Sequence, residues 1–109
     1  MAGNLKNIMT AHERSEKTIE KYLREKTRTL GGLCLKFSSM TETGYPDRIV
    51  IFPGGITAFF ELKSKGEKPT KLQSLRHDTL REMGFPVYVP DSREQVDESL
   101  DELRRLYEI

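Results

Sequence analysis

Asp47-Arg48-Ile49-Val50-Ile51-Phe52, then Pro53-Gly54-Gly55, then Ile56-Thr57-Ala58-Phe59-Phe60-Glu61-Leu62-Lys63 is the stretch whose reading decides the fold. Two runs rich in β-branched and aromatic residues flank a Pro-Gly-Gly connection, the pattern of a β-hairpin. Side chains two apart along a strand share a face. Glu61 and Lys63 therefore join Thr57 and Phe59, while Ile56, Ala58, Phe60 and Leu62 make an apolar face on the other side. The turn decides where Asp47 goes. A three-residue loop pairs Phe52 with Ile56 and seats Asp47 directly across from Glu61, with Cβ atoms roughly 5 Å apart. A two-residue turn slips the register by one and sends Asp47 to the opposite face. A site built on Asp47, Glu61 and Lys63 needs the first register or a compensating bulge. Both arms are apolar on both faces over much of their length, so the sheet is expected to be covered on both sides.

Working outward, Leu33 to Phe37 reads as a strand before the hairpin, and Pro86-Val87-Tyr88-Val89 as a short fourth strand after it. Ile19, Tyr22, Leu23 and Leu30 give an apolar stripe at helical spacing, predicting a helix from about Ser15, its N-cap, to Leu30, stopped by Gly31-Gly32. Thr70 caps a second helix to about Met83, with Leu72, Leu75, Leu80 and Met83 facing inward and Gly84 ending it. Ser92 caps a last helix whose stripe is Val96, Leu100, Leu103 and Tyr107. The order is α-β-β-β-α-β-α. Residues 1–12 show no sustained periodicity and are expected to be a disordered start, with residues 13–109 forming the domain.

The bulk numbers narrow the function classes. A chain of 109 residues suits one domain. It has no apolar run of membrane-spanning length, and Met1 to Arg14 lack the apolar stretch of a signal peptide. One cysteine, Cys34, excludes an internal disulfide and suits a reducing cytoplasm; it reads as a small core hydrophobe. Cys34 with the distant His12 and His77 does not make a zinc ligand set. The net charge of +1 hides an asymmetry. Residues 1–90 carry 15 Lys/Arg against 10 Asp/Glu, whereas residues 91–109 carry 3 against 7. The body is basic and the tail acidic, which is compatible with a nucleic-acid partner.

Two carboxylates placed side by side repel each other, and a hard cation relieves that repulsion. Mg²⁺ takes a few carboxylate oxygens and fills its shell with water and phosphate oxygens. Next to a phosphodiester such a cation can polarise the phosphoryl oxygen and activate water. Lys63 is placed to orient that water or to balance charge on phosphorus.

Asp47 after Pro46, followed by Glu61-Leu62-Lys63, resembles the Pro-Asp…Glu-x-Lys signature of the PD-(D/E)xK nuclease superfamily. Gly44-Tyr45-Pro46-Asp47-Arg48, the Pro-Gly-Gly turn, Phe60-Glu61-Leu62-Lys63 and Gln73 resemble, more narrowly, the virus-type replication-repair nuclease (VRR-NUC) domain. The resemblance runs from about Glu16 to the end of the fourth strand and into the last helix. It implies an α/β fold: a restriction-endonuclease-like αβββαβ core with a mixed central sheet flanked by helices, plus the C-terminal helix. It implies a Mg²⁺- or Mn²⁺-dependent endonuclease of branched DNA, such as Holliday junctions, in the cytoplasm of a bacterial or phage-infected cell. It further implies a helix glutamate at the metal, for which Glu16 and Glu20 both qualify, since they lie one turn apart on nearly the same face. Gln73 would lie near the active site, and Leu62 would offer its backbone carbonyl to the metal. Stand-alone relatives resemble symmetric homodimeric junction resolvases, so a homodimer is expected.

Lys17, Lys21, Arg24 and Arg28 recur at helical spacing as a basic stripe, and Lys65, Lys68 and Lys71 follow the active strand. Alone, the stripe reads as a solvated helix face; beside a nuclease site it becomes a phosphate-binding surface. Tyr45 reads as closing its loop, and His77 as a solvent-facing helix histidine. The competing reading is a DNA-binding module on a degenerate nuclease fold, which would bind DNA without turnover.

Overall fold

The computed structural model describes residues 11–108. The elements are α1 (Ala11–Thr29), β1 (Leu33–Lys36), β2 (Arg48–Phe52), β3 (Ile56–Phe60), α2 (Lys71–Glu82), β4 (Val87–Tyr88) and α3 (Arg93–Tyr107). They follow the expected order. The four strands form one mixed sheet in the order β1-β2-β3-β4, antiparallel through β3 and parallel between β3 and β4.

The hairpin adopts the three-residue register. Phe52 pairs with Ile56, and the ladder runs to Arg48 opposite Phe60. Gly54 and Gly55 both take positive φ, 91° and 79°, a conformation that glycine enters without a Cβ clash. The turn therefore closes with no extra residue, which holds the phase of the whole hairpin.

One sheet face is the core. Val50, Phe52, Ala58, Phe60 and Leu62 pack against Ile19 and Leu23 of α1 and against Val96, Leu100 and Leu103 of α3, all buried. Helix α3 starts at Ser92, whose side chain accepts from the Gln95 amide, and ends with Arg104 and Arg105 in its last turn, where cations suit the helix dipole. Tyr22 joins the two helices by donating its hydroxyl to Asp97 at 2.7 Å.

Several expectations are corrected. Helix α1 already runs from Ala11, so Ser15 is an interior residue and not its N-cap. Ala11, His12, Glu13 and Arg14 include no helix breaker, and a helix can extend through them without an apolar stripe. Of the expected disordered start, residues 1–10 lie outside the described residues, while Ala11 and His12 are helical. Tyr107 is 42% exposed and drops out of the α3 stripe.

Among the described residues, the sheet is not covered on both sides. On the face opposite the core, Leu33 and Leu35 are 60% and 47% exposed, because α2 lies over only the β4 end of that face. Helix α2 itself is oriented against its leucine stripe. Leu72, Leu75 and Met83 are 41%, 56% and 71% exposed, and its buried residue is His77. Its ends are as expected, with a Thr70–Gln73 capping box and Gly84 just beyond the C-cap. No helix among the described residues is long and apolar enough to cross a membrane.

Candidate active site

The parallel pairing on β4 continues past the two strands' formal ends. The amides of Phe59, Glu61 and Lys63 donate to the carbonyls of Pro86, Tyr88 and Pro90 at 2.9, 2.9 and 3.2 Å. Residues 59–63 are thereby held extended, with alternate amides committed to one side. The amide of Leu62 points the other way, towards β2. There the Asp47 carboxylate takes it, Oδ2 accepting at 2.9 Å. Asp47 is also fixed through its carbonyl, which accepts from the Phe37 amide at 2.8 Å and extends the β1–β2 ladder by one step. Asp47 is thus anchored to a strand on each side, next to buried Pro46.

Glu61 is 2% exposed and lies within Coulombic and hydrogen-bonding reach of Asp47. The pairing has a visible electrostatic consequence. Burial first, and the charge of Glu61 second, push the Asp47 carboxyl up from 3.8 to about 7, with the Leu62 amide working in the opposite direction. Glu16 adds to the rise, so its carboxylate acts on the same point. Glu20, one turn further along α1, instead accepts from Arg48 Nη2 at 2.8 Å and lies 3.8 Å from Arg24 Nε. Of the two helix glutamates, Glu16 acts on Asp47, while Glu20 is engaged by Arg48 and Arg24.

Lys63 is buried, and its Nζ lies 3.7 Å from Oε1 of Glu67. The turn carrying Glu67 is itself tied down, by the Glu67 amide to the Ser64 carbonyl and the Gly66 amide to Asp91, each at 2.9 Å. Gln73 acts as a cap: its side-chain oxygen accepts from the Thr70 amide at 2.9 Å. Tyr45 closes its loop as expected, meeting Phe37 edge-on and lying under the guanidinium of Arg76, which also donates to the Thr43 carbonyl. Gly44 is required in that loop, with φ at 89° and Leu72 Cγ 2.8 Å from where a Cβ would sit.

His77 is the correction of most consequence. It is not solvent-facing but 2% exposed, with Nε2 3.4 Å from Oε1 of Glu61. Leucine counting hid it, because the periodicity of Leu72, Leu75 and Met83 pointed α2 the wrong way. Its spacing of one helical turn from Gln73 was the available signal.

Among the described residues no three His, Cys, Asp or Glu side chains converge as a closed metal-ligand set. The donors present nevertheless fit Mg²⁺ or Mn²⁺. These cations bind through one or two carboxylates and leave the remaining positions to water and phosphate. Asp47 and Glu61 are such a pair, and their mutual repulsion is what a cation would relieve.

The proposed phosphate contacts lie at the surface. Lys17, Lys21, Arg24 and Arg28 on α1 and Lys65, Lys68 and Lys71 beyond β3 are all exposed. Lys21, Arg24 and Arg28 line a recess of about 300 Å³ with Gly32 to Leu35 of the β1 edge.

A mixed sheet with paired acids and a lysine at the end of its central hairpin is compatible with a hydrolytic nuclease, and the chain's similarity to known proteins gives that class. The chain is 43% identical over 79 residues, 72% of its length and 85% of the relative's, to "Putative nuclease p44" of Acyrthosiphon pisum secondary endosymbiont phage 1. A solved structure described as "VRR_NUC domain" superposes with a TM-score of 0.75 at 36% identity, covering 80% of this chain and 95% of that one. No family model matches the chain. The chain belongs to the VRR-NUC nuclease family.

Proposed function

We propose that this nuclease is a Mg²⁺- or Mn²⁺-dependent endonuclease that hydrolyses phosphodiester bonds of branched DNA, such as Holliday junctions, in bacterial or phage recombination and repair. The observation that carries the reading is the Asp47–Glu61 pair: two neighbouring carboxyls, Glu61 buried and Asp47 anchored on the Leu62 amide at 2.9 Å. Asp47 and Glu61 hold the cation, with Glu16 the helix glutamate in preference to Glu20 and the Leu62 carbonyl as a further donor. When bound, the cation supplies Lewis-acid polarisation of the phosphoryl oxygen and a lowered pKa for water.

The protein's own groups set the geometry. Lys63 leaves Glu67 to orient the attacking water, or to balance charge at phosphorus, as the new P–O bond forms and the ester P–O bond breaks. Gln73, its oxygen held by the cap, offers its amide nitrogen to the phosphate side. The basic surface of α1 and the Lys65–Lys71 segment grips the DNA backbone without reading bases, which favours selection by shape. Two such sites in a homodimer suit paired cuts on opposing strands, and the cytoplasm of a bacterial or phage-infected cell supplies both DNA and Mg²⁺.

Labelled four-way, flap, splayed-arm and duplex DNA incubated with protein and Mg²⁺ test this directly. The four-way junction should be cut fastest, and Glu61→Ala or Lys63→Ala should each lose at least about a hundred-fold in rate. Salt-sensitive DNA binding with no cutting by the wild type in Mg²⁺ or Mn²⁺ would instead establish a binding module on a degenerate fold.

A further inference from the structure

Burying a polar side chain is costly unless it is hydrogen-bonded. Helix α2 nevertheless buries an imidazole while two of its leucines, Leu72 and Leu75, are 41% and 56% exposed. That choice needs a reason. The buried face of α2 meets the strand at Glu61, which is 2% exposed and whose Oε1 faces His77 Nε2 at 3.4 Å. The contact is long for a charge-assisted hydrogen bond, and catalytic contacts of this kind commonly tighten when the site is loaded.

We propose that His77 is a positioning residue of the metal centre: its Nε2–H holds one oxygen of Glu61 and leaves the other to the cation. This rests on the metal reading given above. The Nε2 hydrogen is required in either charge state of the ring. Carboxylates that bind metals depend on such hydrogen bonds for orientation, and losing one typically lowers metal affinity or activity 10–100-fold. His77 touches neither water nor phosphate in this scheme; it acts through Glu61.

The test uses MnCl2 titrated calorimetrically into the full chain without DNA, alongside thermal melting of each variant. His77→Leu and His77→Asn should bind Mn²⁺ at least about ten-fold more weakly than wild type. His77→Gln, whose amide nitrogen reaches the Nε2 position, should recover most of the affinity. His77→Asn carries the comparison if His77→Leu melts below the assay temperature. In the wild type, long-range proton–nitrogen correlation should find hydrogen on His77 Nε2.

Unchanged affinity in both disabling variants, a Gln variant as weak as Asn, or an Nε2 without hydrogen would overturn the role of His77. Asp47→Ala separates this from the reading beneath it. If wild type binds Mn²⁺ no better than Asp47→Ala, the metal site itself is wrong and the inference falls with it. If wild type binds and Asp47→Ala does not, a His77→Asn variant matching wild type refutes His77 alone.

Discussion

Asp47 carries the account at the scale of single residues. Its carboxyl is pressed first by burial and then by the charge of Glu61, with the Leu62 amide opposing, and the net result is a rise from 3.8 to about 7. A raised carboxyl pKa means that the folded chain holds this proton more tightly than the unfolded chain. Its contribution to stability is therefore complete below about pH 4 and is lost as the pH climbs through about 7. Asp47→Asn keeps an acceptor for the Leu62 amide but has no proton to lose. Melting in EDTA should show the variant gaining on wild type from about pH 4 to 7, and Mg²⁺ should narrow the gap at neutral pH by neutralising the pair. A gap that stays constant with pH would contradict this. Strand phase put Glu61 and Lys63 on one face in the sequence, while the place of Asp47 waited on the turn length. His77 was not legible, since a helix lying over a polar site need not turn its leucines inward.

Among the elements, the hairpin and α1 divide the work. The Pro53-Gly54-Gly55 turn sets the register, and a slip of one residue would have put Asp47 on the core face. The two possible registers were readable beforehand, but the sequence left open which of them the turn adopts; the structure shows the three-residue one. The start of α1 was less readable: without an apolar signal, the residues before Ser15 gave no reason to begin a helix at Ala11. Equally illegible was the partner of Glu20: Arg48, a residue on another element, captures it at 2.8 Å. For the exposed face of α1 we predict phosphate contacts. Arg24→Ala with Arg28→Ala should weaken DNA binding about equally for all sequences and reduce the slope of log K against log salt by about two. An unchanged slope would return those residues to ordinary solvated charge.

At the scale of the whole molecule, the fold follows the expected order and mixed sheet, but its second face is half open. Periodicity can say that a strand is apolar on both sides. It cannot say whether the same chain supplies the cover. Leu33 and Leu35, 60% and 47% exposed, leave a small apolar patch on that open face. In the proposed homodimer a second copy covers it. Light scattering should then give the mass of two chains for wild type and of one for Leu35→Glu, with the variant losing paired cuts on a junction before single-strand nicking. A wild type monomeric at working concentrations would remove the dimer without touching the site.

The claim beneath all of this is that Asp47 and Glu61 together hold a divalent cation. Crystals soaked in Mn²⁺ and measured at the manganese edge test it most directly. An anomalous peak is expected within coordination distance of both carboxylates, absent in Asp47→Ala. A fully soaked wild-type crystal with no peak there, or with its peak away from both acids, would contradict it.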